Sequence, residues 1–416
     1  MAVNLPEPGK LLPVAGVTLA AASAEVKSST EPGVGGIPPR DDLALIVLAE
    51  GTTVAGVFTQ SGFAAPPVQL CREHLALGQG NRVFMMNSGN ANAATGERGR
   101  ADAQTLASVV ASAVGVQPTE VLPFSTGVIG EFLPRERMSK GFELCAQNLH
   151  ADNWLAAAKA IMTTDTVPKA VSKEVQVAGH TVTISGMSKG AGMMRPDMAT
   201  MLAYMACDAN VATEVLQVLV RDVADASFNR LTVDGDTSTN DSFVVACTGQ
   251  GNAAPITSAS DATYAQLRDG LVAVATELAQ AIVRDGEGAT KFVTVRVTGG
   301  YTQAECAEVA FGVAHSPLVK TAIFAGDPNW GRFCMAIGKT NLADFSQSKV
   351  ALYLDDVCIA RDGLVVEGYS EAEAARVMEQ PEYLVLIDLG RGAAQDEVWT
   401  SDLSYEYVRV NAEYRT

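Results

Sequence analysis

Apolar residues recur along this chain with two different spacings, and the switches between them mark out its elements. Residues 43–59 hold two short apolar and β-branched runs split at Gly51, which predicts two buried strands joined by a turn. Further strands are predicted at 83–86 and 181–185. Spacings of three and four then take over at Leu106, Val109, Val110 and Val114, and again at Trp154, Leu155, Ala158 and Ile161. Val215, Leu216, Leu219 and Val223 follow Thr213, which reads as the helix cap. Leu267, Leu271, Val274, Leu278 and Ile282 keep one apolar face until Asp285-Gly286 ends it. Beyond about residue 290 the pattern restarts with a strand at 292–297. A hairpin of 350–354 and 357–360 turns at Asp355-Asp356, and more strand is expected at 383–389 and over 397–410. Strands and helices alternate, so the expected class is α/β (α+β), with a core over 1–289 and a smaller C-terminal α/β domain over 290–416.

The chain has 416 residues, of which 48% are hydrophobic, enough for two or three packed units. Thirty basic and forty-seven acidic residues give a net charge of −17. Nucleic-acid phosphates and anionic membranes would be repelled, so neither is an expected partner. The N-terminal stretch lacks a basic start followed by an apolar run, and the expected compartment is the cytoplasm. Seven cysteines are widely spaced and never form Cys-x-x-Cys, so they read as reduced core residues, with no metal site or disulfide framework implied.

Chemistry concentrates in 189–202, where Thr200 follows flexible glycines and Pro196. A hydroxyl needs a base beside it, yet the four histidines, His74, His150, His180 and His315, are scattered. Self-cleavage before Thr200 would supply one, because a freed α-amino group with a pKa of about 7.7 to 8 can take the proton of its own side chain. Thr126-Gly127 offers a hydroxyl and an amide suited to an oxyanion, although a plain turn is the alternative. Asn87–Asn92 is a comparable polar turn. Lys189 suits a substrate carboxylate and Glu287 a substrate amine; a solvated loop charge and a turn carboxylate are the plain alternatives. Gly186-Met-Ser-Lys-Gly190 matches a nucleophile elbow around Ser188, but Gly190, Gly192 and Pro196 oppose the helix that motif needs, leaving Ser188 as a loop residue. The acidic run from Asp234 lacks the glycine and glutamate of a calcium loop, and reads instead as a self-bonded polar turn under a site.

Taken together, these segments resemble the ornithine acetyltransferase family, the self-cleaving glutamate N-acetyltransferases of arginine biosynthesis. The resemblance runs from about residue 41 to the end, through 87–92, 125–127, 162–169, 198–202, 233–242, 284–292, 326–331 and 411–416. It implies a two-sheet αββα sandwich and cleavage between Ala199 and Thr200, giving an α chain of 1–199 and a β chain from 200. Thr200 would carry the acetyl group, Thr126 and Gly127 would form the oxyanion hole, and Thr164 or Thr166, Lys189, Glu287, Asn411 and Thr416 would contact substrate. The implied reaction is ping-pong transfer from N-acetylornithine to glutamate without metal or organic cofactor, acetyl-CoA remaining open as a second donor. The implied assembly is an α2β2 heterotetramer with the C-terminal tail returning to the site.

The chain departs from the family pattern at Asp197, where asparagine is common, at Ala191, where serine is, at 60–67 and around 36–40. Three rival readings remain: a self-processing aminopeptidase or amidase, a hydrolase acting through Ser188, and a non-catalytic binding module.

Overall fold

A computed structural model of the protein describes residues 2–26, 40–195 and 201–413. Thr200, the Ala199 before it, Asp197 and Thr416 lie outside the described residues.

Two sheets face each other. One has four strands in the order Val17–Ala22, Leu43–Leu48, Val83–Asn87, Val121–Ser125. The other has five, in the order Thr53–Phe58, Ser242–Cys247, Leu202–Cys207, His180–Lys189, Lys169–Val177. Leu19, Ile46, Phe84 and Phe124 from the first meet Leu202, Tyr204 and Val244 from the second in a shared core. Helices close the outer faces. Gly96–Val114 and Arg135–Gln147 pack Leu106, Val110, Met138 and Phe142 against Leu43, Leu45 and Met85. Thr213–Ala226 and Ala262–Arg284 pack Leu216, Leu219, Leu271, Val274 and Leu278 against Ile184, Met205 and Val245. This is the expected αββα arrangement. The central strands Leu202–Cys207 and Ser242–Cys247 are parallel and buried at every position, which suits their almost wholly apolar sequences.

The two strands flanking Gly51 belong to different sheets, so the turn carries the chain across the sandwich. The helix at 213 starts one residue earlier than its cap was expected: Ala212 holds the extended cap position with no side-chain bond, and Thr213 is already helical. Ser188 lies inside the strand His180–Lys189, buried and paired in register with Lys169 and Ala203, so it is a strand residue. Its neighbours Gly190 and Gly192 give no helix after it, and no elbow forms.

A seven-stranded sheet follows, in the order Leu364–Val365, Val357–Arg361, Ala351–Leu354, Glu382–Asp388, Phe292–Gly300, Ala394–Ser401, Leu231–Thr232. Its own core gathers Val295, Val309, Val313, Ile323, Phe333, Leu352 and Val385. The strand expected over 397–410 stops at Ser401, and Tyr405–Ala412 is a helix. Ser404 caps it by accepting the Tyr407 N–H, while Glu406, Arg409 and Glu413 pair at helical spacing. Five cysteines are buried as expected, but Cys334 is exposed and Cys358 only partly covered. Among the described residues no helix is long and apolar enough to cross a membrane.

Candidate active site

At one end of the sandwich the strand Val121–Ser125 runs out into Thr126, His180–Lys189 ends at its lysine, and Leu202–Cys207 and Ser242–Cys247 begin. The gap between them is a cavity of about 280 Å³, walled by Thr126, Gly127, Thr164, Lys189, Met201, Asp241, Glu287 and Asn411 among others. Met201, the residue after Thr200, therefore lines it.

Asparagines build the wall that carries Thr126. Asn87 donates to the Asn90 carbonyl at 2.8 Å and accepts from the Ser125 hydroxyl at 2.7 Å. Asn240 donates to the Ala91 and Ser125 carbonyls at 2.6 and 2.9 Å. The polar turn 87–92 thus clamps the loop beside it. The clamp is so close that only glycine fits at 127: its φ is +131°, and a Cβ there would lie 2.3 Å from the Gly89 carbonyl carbon. Among the described residues no hydrogen bond takes the Gly127 N–H, while the Thr126 N–H is spent on the Asn87 carbonyl.

Lys189 is 8% exposed and its Nζ donates to Thr126 Oγ1 at 2.9 Å, which leaves the hydroxyl proton of Thr126 free to donate elsewhere. Burial lowers the Lys189 ammonium from its ordinary range, with Asp165, Asp241 and Glu287 opposing the shift and Lys169 adding to it.

Beneath this corner lies a buried ionic triad. Lys169 Nζ donates to Asp165 Oδ1 and Asp285 Oδ2, each at 2.7 Å, and its side chain is wholly buried. Asp165 also accepts the Gly190 N–H at 2.8 Å and the Thr163 N–H at 3.0 Å. Burial alone would raise its carboxyl, but Lys169, Lys189 and these bonds hold it well below the usual carboxylate range. Asp285 accepts the Thr166 N–H at 2.8 Å and the Thr166 hydroxyl as well. Of the two threonines left open above, Thr164 faces the cavity and Thr166 is turned into the triad.

The opposite wall carries the anion. The helix Ala262–Arg284 stops at Asp285, and the Glu287 N–H bonds the Ala191 carbonyl at 2.8 Å. The Glu287 carboxylate lies so close to Gly192 that a Cβ there would sit 2.4 Å from Oε2. Asn411, on the helix Tyr405–Ala412, donates to Glu287 Oε2 at 2.7 Å. Tyr407 on the same helix donates to Asp234, which also receives the Met193, Met194 and Asp236 amides. Asp234 is thus spent on the turn it holds, as the self-bonded reading of that acidic run requires.

Thr126, Gly127, Thr164, Lys189, Glu287 and Asn411 come together around one space, while Thr166 does not open onto it. The triad of Asp165, Lys169 and Asp285, the clamp Asn240 and the carboxyl of Asp241 were not singled out from the sequence, although all five fall inside motifs it displayed. None of the four histidines lines the cavity; His315, for one, bonds Thr232 through Nε2 at 3.0 Å. A hydroxyl and an amide converge there beside the Lys189 ammonium and the carboxyl groups of Glu287 and Asp241, a set suited to acyl transfer on an amino-acid substrate.

Among solved structures, the chain is similar to the arginine biosynthesis bifunctional protein of Bacillus halodurans, at 35% identity over 49% of this chain and 95% of that one, with a TM-score of 0.47. It is similar to an ornithine acetyltransferase of Mycobacterium tuberculosis complexed with ornithine, at 33% identity over 46% and 96%, with a TM-score of 0.38. An L-aminopeptidase D-Ala-esterase/amidase of Ochrobactrum anthropi matches at 12% identity over 68% and 90%, with a TM-score of 0.41. The model of the ArgJ family matches residues 28–416, and the chain belongs to that family, the acetyltransferases of arginine biosynthesis.

Proposed function

We propose that the chain cleaves itself between Ala199 and Thr200 and that Thr200 then carries an acetyl group from N-acetylornithine to glutamate. The Thr200 α-amine takes the Oγ proton, Oγ attacks the acetyl carbonyl, and Thr126 O–H and Gly127 N–H hold the oxyanion. Ornithine leaves with the proton, and the amine of glutamate then attacks the acetyl-threonine to release N-acetylglutamate. Lys189 and Thr164 receive the substrate's anionic and polar groups, Glu287 with Asn411 its amine, and Thr416 is a further substrate contact.

The observation that carries this reading is the 2.9 Å bond from Lys189 to Thr126 in a cavity that also holds Met201. It leaves a hydroxyl proton and the Gly127 amide as donors at the cavity that Met201 lines. The same reading gives an α2β2 assembly of α chains 1–199 and β chains from 200, acting in the cytoplasm. It divides the chain at about residue 290, calls on no metal or organic cofactor, and admits acetyl-CoA as a second donor. The test supplies N-acetylornithine and glutamate and measures N-acetylglutamate. A hydrolase of the same architecture would release acetate to water instead.

A further inference from the structure

The proposed reaction sets a problem that Glu287, a contact for the substrate's amine, does not solve alone. One cavity must accept in turn an amino acid whose side chain ends in an ammonium and another whose side chain ends in a carboxylate. A group of fixed charge that attracts the first repels the second. A carboxyl able to keep or lose its proton meets both: ionised it accepts from an ammonium, and protonated it donates to a carboxylate.

Asp241 has that chemistry. It lies just before the strand Ser242–Cys247, is 3% exposed, and lines the cavity. Its backbone is fixed from both sides, since its carbonyl accepts the Thr59 N–H at 3.0 Å and the next amide, that of Ser242, bonds the Met201 carbonyl at 2.8 Å. Its Oδ2 has no hydrogen-bond partner among the described residues. A buried polar atom left without a partner is costly, and in the wall of a cavity a ligand's donor can relieve that cost. The charged groups around it are Lys189, at the end of the strand two places away in the sheet, with Glu287, Asp165 and Lys169 arranged about that lysine. Burial raises the Asp241 carboxyl well above the usual carboxylate range, and Ser238 and Lys189 offset only part of that. An approaching ammonium would reverse the balance.

Resting on the proposed reaction, we infer that Asp241 is a specificity-determining contact that is ionised against the ammonium of N-acetylornithine and protonated against the side-chain carboxylate of glutamate. When N-acetylornithine docks, the O–H bond of the acid breaks and its proton passes to solvent. When ornithine has left and glutamate docks, one proton is taken up again, so the full cycle is neutral in protons at this residue.

The test measures KM for each substrate across pH in the processed enzyme and in Asp241→Asn, whose amide donates but cannot become an anion. In the parent, KM for N-acetylornithine falls as pH rises while KM for glutamate climbs. In Asp241→Asn, KM for N-acetylornithine rises about tenfold, KM for glutamate stays within about twofold, and the opposed pH trends vanish. Asp241→Glu, which still titrates, restores the opposed trends. Equal losses for both substrates, or none, would overturn the inference. Should Asp241→Asn fail to fold, the parent's two pH trends decide alone, parallel trends being fatal. A parent enzyme that forms no N-acetylglutamate sinks the underlying reaction as well, and that is seen before any variant is made.

Discussion

Lys169 and Lys189 stand almost opposite each other on one pair of strands, and the protein uses them in contrary ways. Lys169 faces Ser188 across the ladder, so the pleat turns the neighbouring Lys189 to the other side of the sheet. Both ammonium groups are buried, at a heavy cost in lost hydration. Lys169 recovers it from two carboxylates and nothing is left over for a ligand. Lys189 has one threonine hydroxyl, distant carboxylates and an open space in front of it. A buried charge whose partners are complete belongs to the scaffold, whereas one whose partners are incomplete belongs to the site.

Exchanging the two lysines for methionine separates these roles most sharply. Lys169→Met leaves Asp165 and Asp285 buried without their cation and is expected to cost about 3 to 5 kcal/mol in denaturant unfolding. Activity should vanish with it, because the Asp165 bonds to Gly190 and Thr163 set the corner that carries Lys189. Lys189→Met should leave stability within about 1 kcal/mol yet lower acetyl transfer by about a hundredfold or more. If both variants unfold equally, the distinction between scaffold and site charge is lost.

Thr126→Val refines the claim about what Lys189 touches. Loss of the hydroxyl should lower kcat by about 100- to 1,000-fold with little change in KM, since the bond to the oxyanion forms only in the transition state. A change confined to KM would make Thr126 a binding group instead.

Much of this architecture was legible beforehand, for reasons that the misses clarify. The apolar faces of Thr213–Ala226 and Ala262–Arg284 announced their helices because each buries one stripe against a sheet. The helix Tyr405–Ala412 stayed hidden because it buries none of its residues, and Tyr405 and Val408 stand exposed, so no stripe exists to read. The crossing at Gly51 was invisible because neighbouring strands carry no mark of which sheet they will join. At the site, Thr126, Gly127, Lys189, Glu287 and Asn411 followed from local chemistry and family resemblance. Asp241 and the triad did not, because a carboxylate in a polar turn looks satisfied until the long-range packing around it is known.

Acid extends the comparison to a partly buried base outside the cavity. Burial, aided by Arg195, Lys320 and Lys339, depresses His315 to about 4. Its folded value lies below the ordinary 6.5, so the unfolded chain binds the proton first, and stability should decline as pH falls from about 6.5 to about 4. Asp165 acts with the same sign at lower pH: the stability from its depressed carboxyl is present above the ordinary carboxylate range and lost in stronger acid. His315→Asn should flatten the decline between about 6.5 and 4 in thermal unfolding, and an unchanged slope would locate it in another group.

Asn411→Ala should have the mildest effect. Glu287 keeps its place through the Ala191 bond, so KM is expected to rise only about three- to tenfold at nearly unchanged kcat.

Intact-mass spectrometry with N-terminal sequencing, before and after exposure to N-acetylornithine, reaches furthest into the chemistry. Two chains are expected in place of one of 416 residues, the second beginning with Thr200 and gaining an acetyl group that glutamate removes. An unbroken chain that nonetheless forms N-acetylglutamate would contradict the account.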